Sequence, residues 1–487
     1  MADSVPTTAP QATERAPEPG AGAGHGSDAA RPPAVAEVFE RLRGAFDAGR
    51  TRPLAWRVEQ LRGIERLVDE CEADLVGAMA EDFGKPAVEA WFTDLAMVRT
   101  EASHARRNLH RWMRPRRVWP GRLNVPGRAF TVAEPRGVVL VVSPWNYPVQ
   151  LALAPLVAAL AAGNAAVVKP SELTPATSAV LARLLPRYVD PEAVCVVEGA
   201  VDTATALLEL PFDHIFFTGS TTVGRVVMAA AARHLASVTL ELGGKSPVVV
   251  ARDAELAVTA RRVAWGKLLN AGQTCIAPDY VLVERSVADE LVDALCRSMA
   301  DLQGPDPALT RTRIVNERHL ARLESLLHSA GGTVVAGGKV DHAQRWIEPT
   351  VIVDPDPQAP IMQDEIFGPI LPVVRVDSVD EALRFVRARP KPLALYLFTR
   401  SASVERMVVE QTSSGGVCIN HVMMHFAVPE LPFGGVGPSG LGAYHGRAGF
   451  EELSHRKPVL RRGFWPDLSI AYPPFDARKE RILRRVL

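Results

Sequence analysis

The stretch Gly137-Val138-Val139-Leu140-Val141-Val142-Ser143-Pro144-Trp145-Asn146-Tyr147-Pro148 decides how this chain is read. An unbroken β-branched and leucine run from Val138 to Val142, with no polar alternation, describes a strand buried on both faces of a parallel sheet. Two prolines then hold Trp145, Asn146 and Tyr147 in a rigid loop, and an apolar helix follows from Val149 to Leu160. The alternation recurs downstream. Strand-like runs at Ala165 to Val168, Val194 to Val197, His214 to Phe217 and Val238 to Leu242 are separated by helical segments. These include Thr203 to Leu208, Gly224 to His234, and a helix that Thr174 caps ahead of Pro175 and that runs through Leu185. Strands and helices alternating at these lengths predict a doubly wound α/β fold, which handles ligands beyond the carboxyl ends of its strands.

Outward from this core, residues 35–112 carry helical periodicity through Leu61, Ile64, Leu67 and Val68, then Phe92, Leu95 and Val98. With 137–243 they are assigned to one dinucleotide-binding domain. A second αβ series begins near Ser246 with the strand Pro247 to Val250. It continues through the helix leading to Cys275, the helix Val287 to Leu302 and the strands Leu371 to Val376 and Leu393 to Phe398. Ser378 and Glu381 form a capping box on the helix reaching Val386. Residues 244–430 are therefore expected to be a separate catalytic domain. Residues 113–136 are basic and broken by Pro115, Pro120 and Pro126. With few stacking aromatics interleaved, a hairpin for subunit contact is preferred there to a nucleic-acid site. That segment and 431–487 are assigned to oligomerisation, bridging and a C-terminal tail.

The chain has 487 residues, enough for two or three domains, and its 55 basic and 55 acidic residues cancel. No global field recruits nucleic acid or anionic membrane. Five scattered cysteines without a C-x-x-C pair argue against disulfides or a metal cage and fit a reducing, cytoplasmic compartment. Residues 1–34, rich in Ala, Pro and Gly, are expected to be a disordered tail without a secretory signal. No apolar run reaches the roughly 18 residues of a membrane span. The basic C-terminus, from Arg478 to Leu487, reads as a solvated helix in preference to a membrane-surface one.

Several segments carry candidate chemistry. In Gly272-Gln273-Thr274-Cys275-Ile276-Ala277-Pro278-Asp279-Tyr280 a thiol sits on a helix-to-strand turn. There it is either a small buried residue or a nucleophile with backbone N–H groups aimed near its sulfur. Thr218-Gly219-Ser220-Thr221-Thr222-Val223-Gly224 joins a strand to a helix N-terminus, as a phosphate turn or as tight packing. Lys169 and Glu172, just after a buried strand, suit ribose hydroxyls or plain surface solvation. The Asn146 amide can donate to a developing oxyanion. Glu241, inside an apolar strand end, is either salt-bridged or a general base of raised pKa. Asp364-Glu365-Ile366-Phe367-Gly368-Pro369 alone is a loop of no assigned chemistry.

Taken together and in this order, these segments resemble the aldehyde dehydrogenase superfamily over residues 35 to 475. Ala277-Pro278-Asp279-Tyr280, Lys391 to Tyr396, Leu431 to Gly437 and Ser454-His455-Arg456-Lys457 resemble its class 3, fatty-aldehyde-like branch. The resemblance implies NAD(P)-dependent oxidation of an apolar aliphatic or aromatic aldehyde to its acid. Cys275 would carry the thiohemiacetal and thioester, Asn146 with the Cys275 N–H would hold the oxyanion, and Glu241 would activate water. Lys169 and Glu172 would hold the adenine ribose, with Gly219, Ser220 and Gly224 at the pyrophosphate. Glu365 and Phe367 would meet the nicotinamide ribose and ring, Trp145 would also bind the cofactor, and Tyr147, Phe433 and His425 would meet the substrate. NAD is the expected cofactor, with NADP as the alternative, and no metal is implied. The resemblance further implies a soluble homodimer. His421, where relatives commonly carry an acid, is expected to be a packing or surface residue. The competing functions are a CoA-acylating dehydrogenase, a non-redox thiol esterase and a binding role on an inactive scaffold. A glutamate at 241 favours water over CoA as acyl acceptor.

Overall fold

In the computed structural model, residues 35–304 and 312–486 are described, so the tail expected over residues 1–34 lies outside the described part. The strand Val138–Val142 forms as expected, with Val138 to Val141 fully buried. It lies inside a six-stranded sheet ordered Val194–Val196, Ala165–Lys169, Val138–Val142, His214–Gly219, Ser237–Leu242 and Gly440–Leu441. All neighbours are parallel except the last pair, in which Gly440 and Leu441 run antiparallel opposite Glu241 and Leu240. The order reverses direction between Val138–Val142 and His214–Gly219, which opens a crevice at their carboxyl ends. The Asn146 loop and the Gly219 turn both emerge there.

The helix Gln150–Ala162 is buried on every side, as its apolar sequence demands. Its start is held by Asp94, whose carboxylate accepts from the N–H groups of Val149 (3.2 Å) and Gln150 (3.1 Å). Asp94 is itself fully buried and ion-paired to the fully buried Lys85 at 2.7 Å. It sits on the π-helical turn Trp91–Leu95, whose wider winding brings Asp94 inward while Phe92 and Thr93 reach a cavity described below.

The second series forms a seven-stranded sheet ordered Thr333–Ala336, Thr350–Val353, Ile370–Val376, Tyr280–Glu284, Pro247–Val250, Ala394–Phe398 and Gly416–Ile419. It is parallel apart from the edge strand Thr333–Ala336. The segment 113–136 contributes Arg116–Val118 and Arg128–Pro135, and Ser454–Arg461 completes a three-stranded antiparallel sheet with them. Among the described residues no helix is long and apolar enough to cross a membrane.

One cap differs from expectation. Thr174 precedes the helix Pro175–Tyr188, but its side chain makes no capping bond. Asp82 does this from another helix, accepting from the N–H groups of Ala176 and Thr177 and from the Thr177 hydroxyl at 2.7 to 2.9 Å. A charged acceptor at a helix N-terminus outcompetes a local hydroxyl there. Ser378 caps its helix as read, but Glu381 reaches back to the N–H of Asp377, one residue earlier than the capping box requires.

Candidate active site

The helix Leu256–Leu268 ends in the tight turn Leu269–Gly272 before Cys275. Asn270, Ala271 and Gly272 are all left-handed there, with φ of 54°, 53° and 72°. Such backbone costs about 1–2 kcal/mol for each residue that carries a Cβ, so something must hold it. The Asn270 N–H donates to Glu89 (2.8 Å), its side-chain amide donates to the carbonyl of Asn146 (2.9 Å), and Val315 N–H donates to Gln273 Oε1 (3.0 Å). At Gly272 a Cβ would lie 2.4 Å from the carbonyl oxygen of Gly368, so only glycine fits. Burial pushes the Cys275 thiol up, the carboxyl groups of Glu365 and Glu241 push it further, and the N–H groups of Cys275 and Ile276 oppose both. The turn thus sets a neutral thiol against two backbone donors.

Around this thiol the structure brings together the residues singled out in the sequence. The Asn146 side-chain amide donates to the carbonyl of Gln273 at 3.0 Å, fixing it beside the cysteine turn and leaving its other N–H free of that bond. Tyr147 shares a 2.6 Å hydrogen bond with Thr274, and the Lys85 ammonium lies 4.1 Å from the centre of its ring. Glu241 stands near the end of the strand Ser237–Leu242, 3% exposed, and neither carboxylate oxygen has a hydrogen-bond partner. Burial, and then the neighbouring Glu452, raise its pKa well above the carboxylate range. Among the described residues no basic side chain pairs with it, so the salt-bridged alternative is not what forms.

Cys275 lines two cavities at once. One, of about 130 Å³, is walled by Phe92, Met97, Trp265, Met424, Phe426 and Phe433 and is almost wholly apolar. The other, of about 250 Å³, lies in the crevice of the first sheet and is walled by Trp145, Asn146, Gly219, Ser220, Glu241, Glu365 and Phe367. Leu151 is the other residue common to both linings.

The second cavity has the fittings a dinucleotide needs. It opens at the N-terminus of the helix Thr221–Arg233, capped by Ser220. Gly243 has no room for a Cβ against Glu365, and Glu365 Oε1 and Thr218 Oγ1 are buried without partners. Burial, with Asp279 adding to it, pushes Glu365 up to about 8.

The remaining candidates are placed differently. Lys169 and Glu172 form a 2.7 Å ion pair at the end of the strand Ala165–Lys169, outside both linings. Gly224 lies against Leu242, where a Cβ would come within 2.6 Å, and serves close helix-to-sheet packing. Phe433 lines the apolar cavity, whereas His425 stands behind it between Tyr396 and Phe433, its pKa lowered by burial to about 4. His421 packs edge-on against Trp265.

Two residues lining the crevice escaped the sequence reading. The His319 ring lies tilted against Trp145 with centres 5.3 Å apart, and Arg322 donates to the carbonyl oxygens of Glu365 and Ile366. Both lie on the amphipathic helix Glu317–His328, whose pattern reads as an ordinary surface helix.

A thiol shared by an apolar tunnel and a dinucleotide crevice, with an amide donor and an unpaired carboxyl group beside it, defines a nicotinamide-dependent aldehyde oxidoreductase. The chain belongs to the aldehyde dehydrogenase family, whose model matches residues 16–459. It is 46% identical to aldehyde dehydrogenase family 3 member A2 of Mus musculus, covering 90% of this chain and 91% of that one. It is 44% identical to the dimeric NADP-preferring aldehyde dehydrogenase of Rattus norvegicus, covering 92% and 99%. The substrate-bound structure of Staphylococcus aureus AldH superposes with a TM-score of 0.90 at 40% identity, covering 93% and 99%. The protein is an NAD(P)-dependent enzyme that oxidises aldehydes.

Proposed function

We propose that it oxidises apolar, aliphatic or aromatic aldehydes to carboxylic acids through an acyl group carried on Cys275. The single observation that supports this most is the shared position of Cys275 between the apolar cavity and the crevice. The aldehyde lies along Phe92, Met97, Trp265 and Phe433, with its carbonyl at the thiol. Cys275 loses its proton to the facing carboxylate of Glu365 and adds to the carbonyl, and the sulfur takes that proton back when the C–S bond breaks. The oxyanion accepts from the free N–H of the Asn146 amide and from the Cys275 N–H. When bound in the crevice, the nicotinamide supplies the acceptor for the aldehyde hydrogen, as hydride. Glu241 then removes a proton from the water that attacks the thioester, the C–S bond breaks, and the acid leaves. Trp145, Gly219, Ser220, Glu365 and Phe367 are the residues that would hold the cofactor. Lys169 and Glu172 would meet its adenine ribose.

NAD is the proposed preferred cofactor, because the Glu172 carboxylate would repel a 2′-phosphate; the name of the rat relative points the other way. We assign 35–112 with 137–243 to cofactor binding, 244–430 to catalysis, and 113–136 with 431–487 to bridging segments of a cytoplasmic homodimer and a C-terminal tail, with Phe433 reaching the apolar cavity and Gly440–Leu441 joining the cofactor sheet. Exposed Trp119, Leu460 and Trp465 on and beside the three-stranded sheet support that interface.

A homologous series of straight-chain aldehydes, assayed with NAD and with NADP and with the acid product quantified, tests the reading. KM is expected to fall about three- to fourfold per added methylene until the apolar cavity is filled, the equivalent of ~0.8 kcal/mol per buried CH₂. Acid formation should need no CoA. A KM indifferent to chain length would remove the tunnel from substrate binding, and a CoA requirement would restore the acylating alternative. Asn146→Ala is expected to lower kcat about 10²- to 10³-fold with little change in cofactor KM, the usual loss for one oxyanion donor. An unchanged kcat would leave the oxyanion to backbone donors alone.

A further inference from the structure

We propose that Glu452 is the proton acceptor behind Glu241, returning the base to its working form after each turnover. The inference rests on Glu241 being the base. Ser237, Thr239 and Glu241 alternate on the strand Ser237–Leu242 and therefore share one face of it. Thr239 and Glu241 stand about 6.6 Å apart along the strand, a gap that two side chains and one water can span. Thr239 Oγ1 donates to Glu452 Oε1 at 3.3 Å. Gly440 pairs opposite Glu241, so Gly442 comes opposite Thr239. A Cβ on Gly442 would lie 2.9 Å from Glu452 Oε1 and 3.2 Å from Thr239 Oγ1, so the glycine makes room for the carboxylate.

The contacts behind Thr239 show where a proton is accommodated. His214 Nε2 lies 3.0 Å from Thr239 Oγ1, His214 Nδ1 lies 2.8 Å from Ser237 Oγ, and Ser237 Oγ donates to the carbonyl oxygen of Asp213 at 3.3 Å. His214 is fully buried, and its pKa is lowered by that burial to about 3, so the ring is neutral. The Ser237 hydroxyl, the His214 ring and the Thr239 hydroxyl carry one proton each. Counting the Thr239–Glu452 bond, they serve one contact more than they have protons. A proton arriving on Glu452 supplies the missing one. Such an arrival completes the chain and displaces nothing.

The surroundings agree. Glu241 is faced by Glu452, Cys275 and Tyr444, none of them a cation. Arg136 donates to the backbone carbonyl of Glu452, not to its carboxylate. Among the described residues no ion pair to the Glu452 carboxylate forms; the nearby Arg116, Arg447 and Arg456 pair with Glu451. Glu452 ends the helix Gly446–Glu452 and is half-buried, more exposed to solvent than Glu241, which is 3% exposed. During deacylation the water oxygen bonds to the acyl carbon and its proton goes to Glu241. The C–S pair returns to sulfur, and the proton on Glu241 passes to Glu452 and then to bulk water.

The test is Glu452→Gln, with Glu452→Asp in parallel, read by rapid-mixing and steady-state kinetics on the full chain. Expected for Glu452→Gln is an unchanged burst of cofactor reduction with a kcat on the order of 10-fold lower. Added imidazole should restore kcat in proportion to its concentration, and Glu452→Asp should recover part of it without imidazole. An unchanged kcat and pH profile overturns the proposal, as does a loss that neither imidazole nor Glu452→Asp relieves. Glu241→Gln separates the layers. If it turns over normally, the base assignment has failed; if it is inactive while Glu452→Gln is normal, only the role of Glu452 has.

Discussion

Cys275→Ala is expected to lower aldehyde-dependent cofactor reduction by roughly 10⁴-fold or more, since a nucleophile is the part of such a site that nothing else replaces. Fold and cofactor binding should survive. The side chain is small, and the strained turn before it is held by Asn270, Glu89, Asn146 and Gln273, none of which bonds to the sulfur. Cofactor titration by fluorescence quenching should therefore give an unchanged Kd. Persistent turnover in this variant would move the chemistry off Cys275. A lost Kd would mean that the thiol matters to the crevice and not to the acyl group.

Glu241→Gln is expected to leave one burst of cofactor reduction per active site and to cut steady turnover by about 10²- to 10⁴-fold, the usual contribution of a positioned base. The pH profile follows from the same burial. In wild type the group is a base only when ionised, and burial raises its pKa well above the carboxylate range, so kcat should climb as pH rises through that raised value. In Glu241→Gln that limb should vanish. Stability moves the opposite way. Between the unfolded pKa, near 4.3, and the raised folded value, the folded chain keeps a proton that the unfolded chain has released. Wild-type stability therefore falls with rising pH over that window, and Glu241→Gln should lose this part of the fall. Thermal melts at several pH values check this, and parallel curves for the two proteins would contradict the burial argument.

What was legible in the sequence is what local chemistry determines. Val138 to Val142 and Ala165 to Val168 can only be strands buried on both sides, and from their alternation with helices the crevice and its Gly219 turn followed. Glu241 was conspicuous because a carboxylate in an apolar strand end needs an explanation. Elements set by distant partners were not legible. Asp82 caps a helix more than 90 residues further on. The strand Gly440–Leu441 joins a sheet formed two hundred residues earlier, and its pairing opposite Glu241 exposes the link to Glu452. The left-handed turn before Cys275 places Asn270 and Ala271 where sequence favours glycine, because the hydrogen bonds that Asn270 donates to Glu89 and Asn146 over-determine it. Arg322 looked like surface helix because its task is to hold the backbone of Glu365 and Ile366.

In the proposed reaction Cys275 carries the acyl group. The most direct measurement is intact-protein mass spectrometry, with peptide mapping, of Glu241→Gln quenched after mixing with a straight-chain aldehyde and NAD. The expected result is a mass increase equal to the acyl group in place of one hydrogen, confined to the peptide containing Cys275 and absent without NAD. A burst of cofactor reduction with no such adduct, or an adduct on another of the five cysteines, would contradict it.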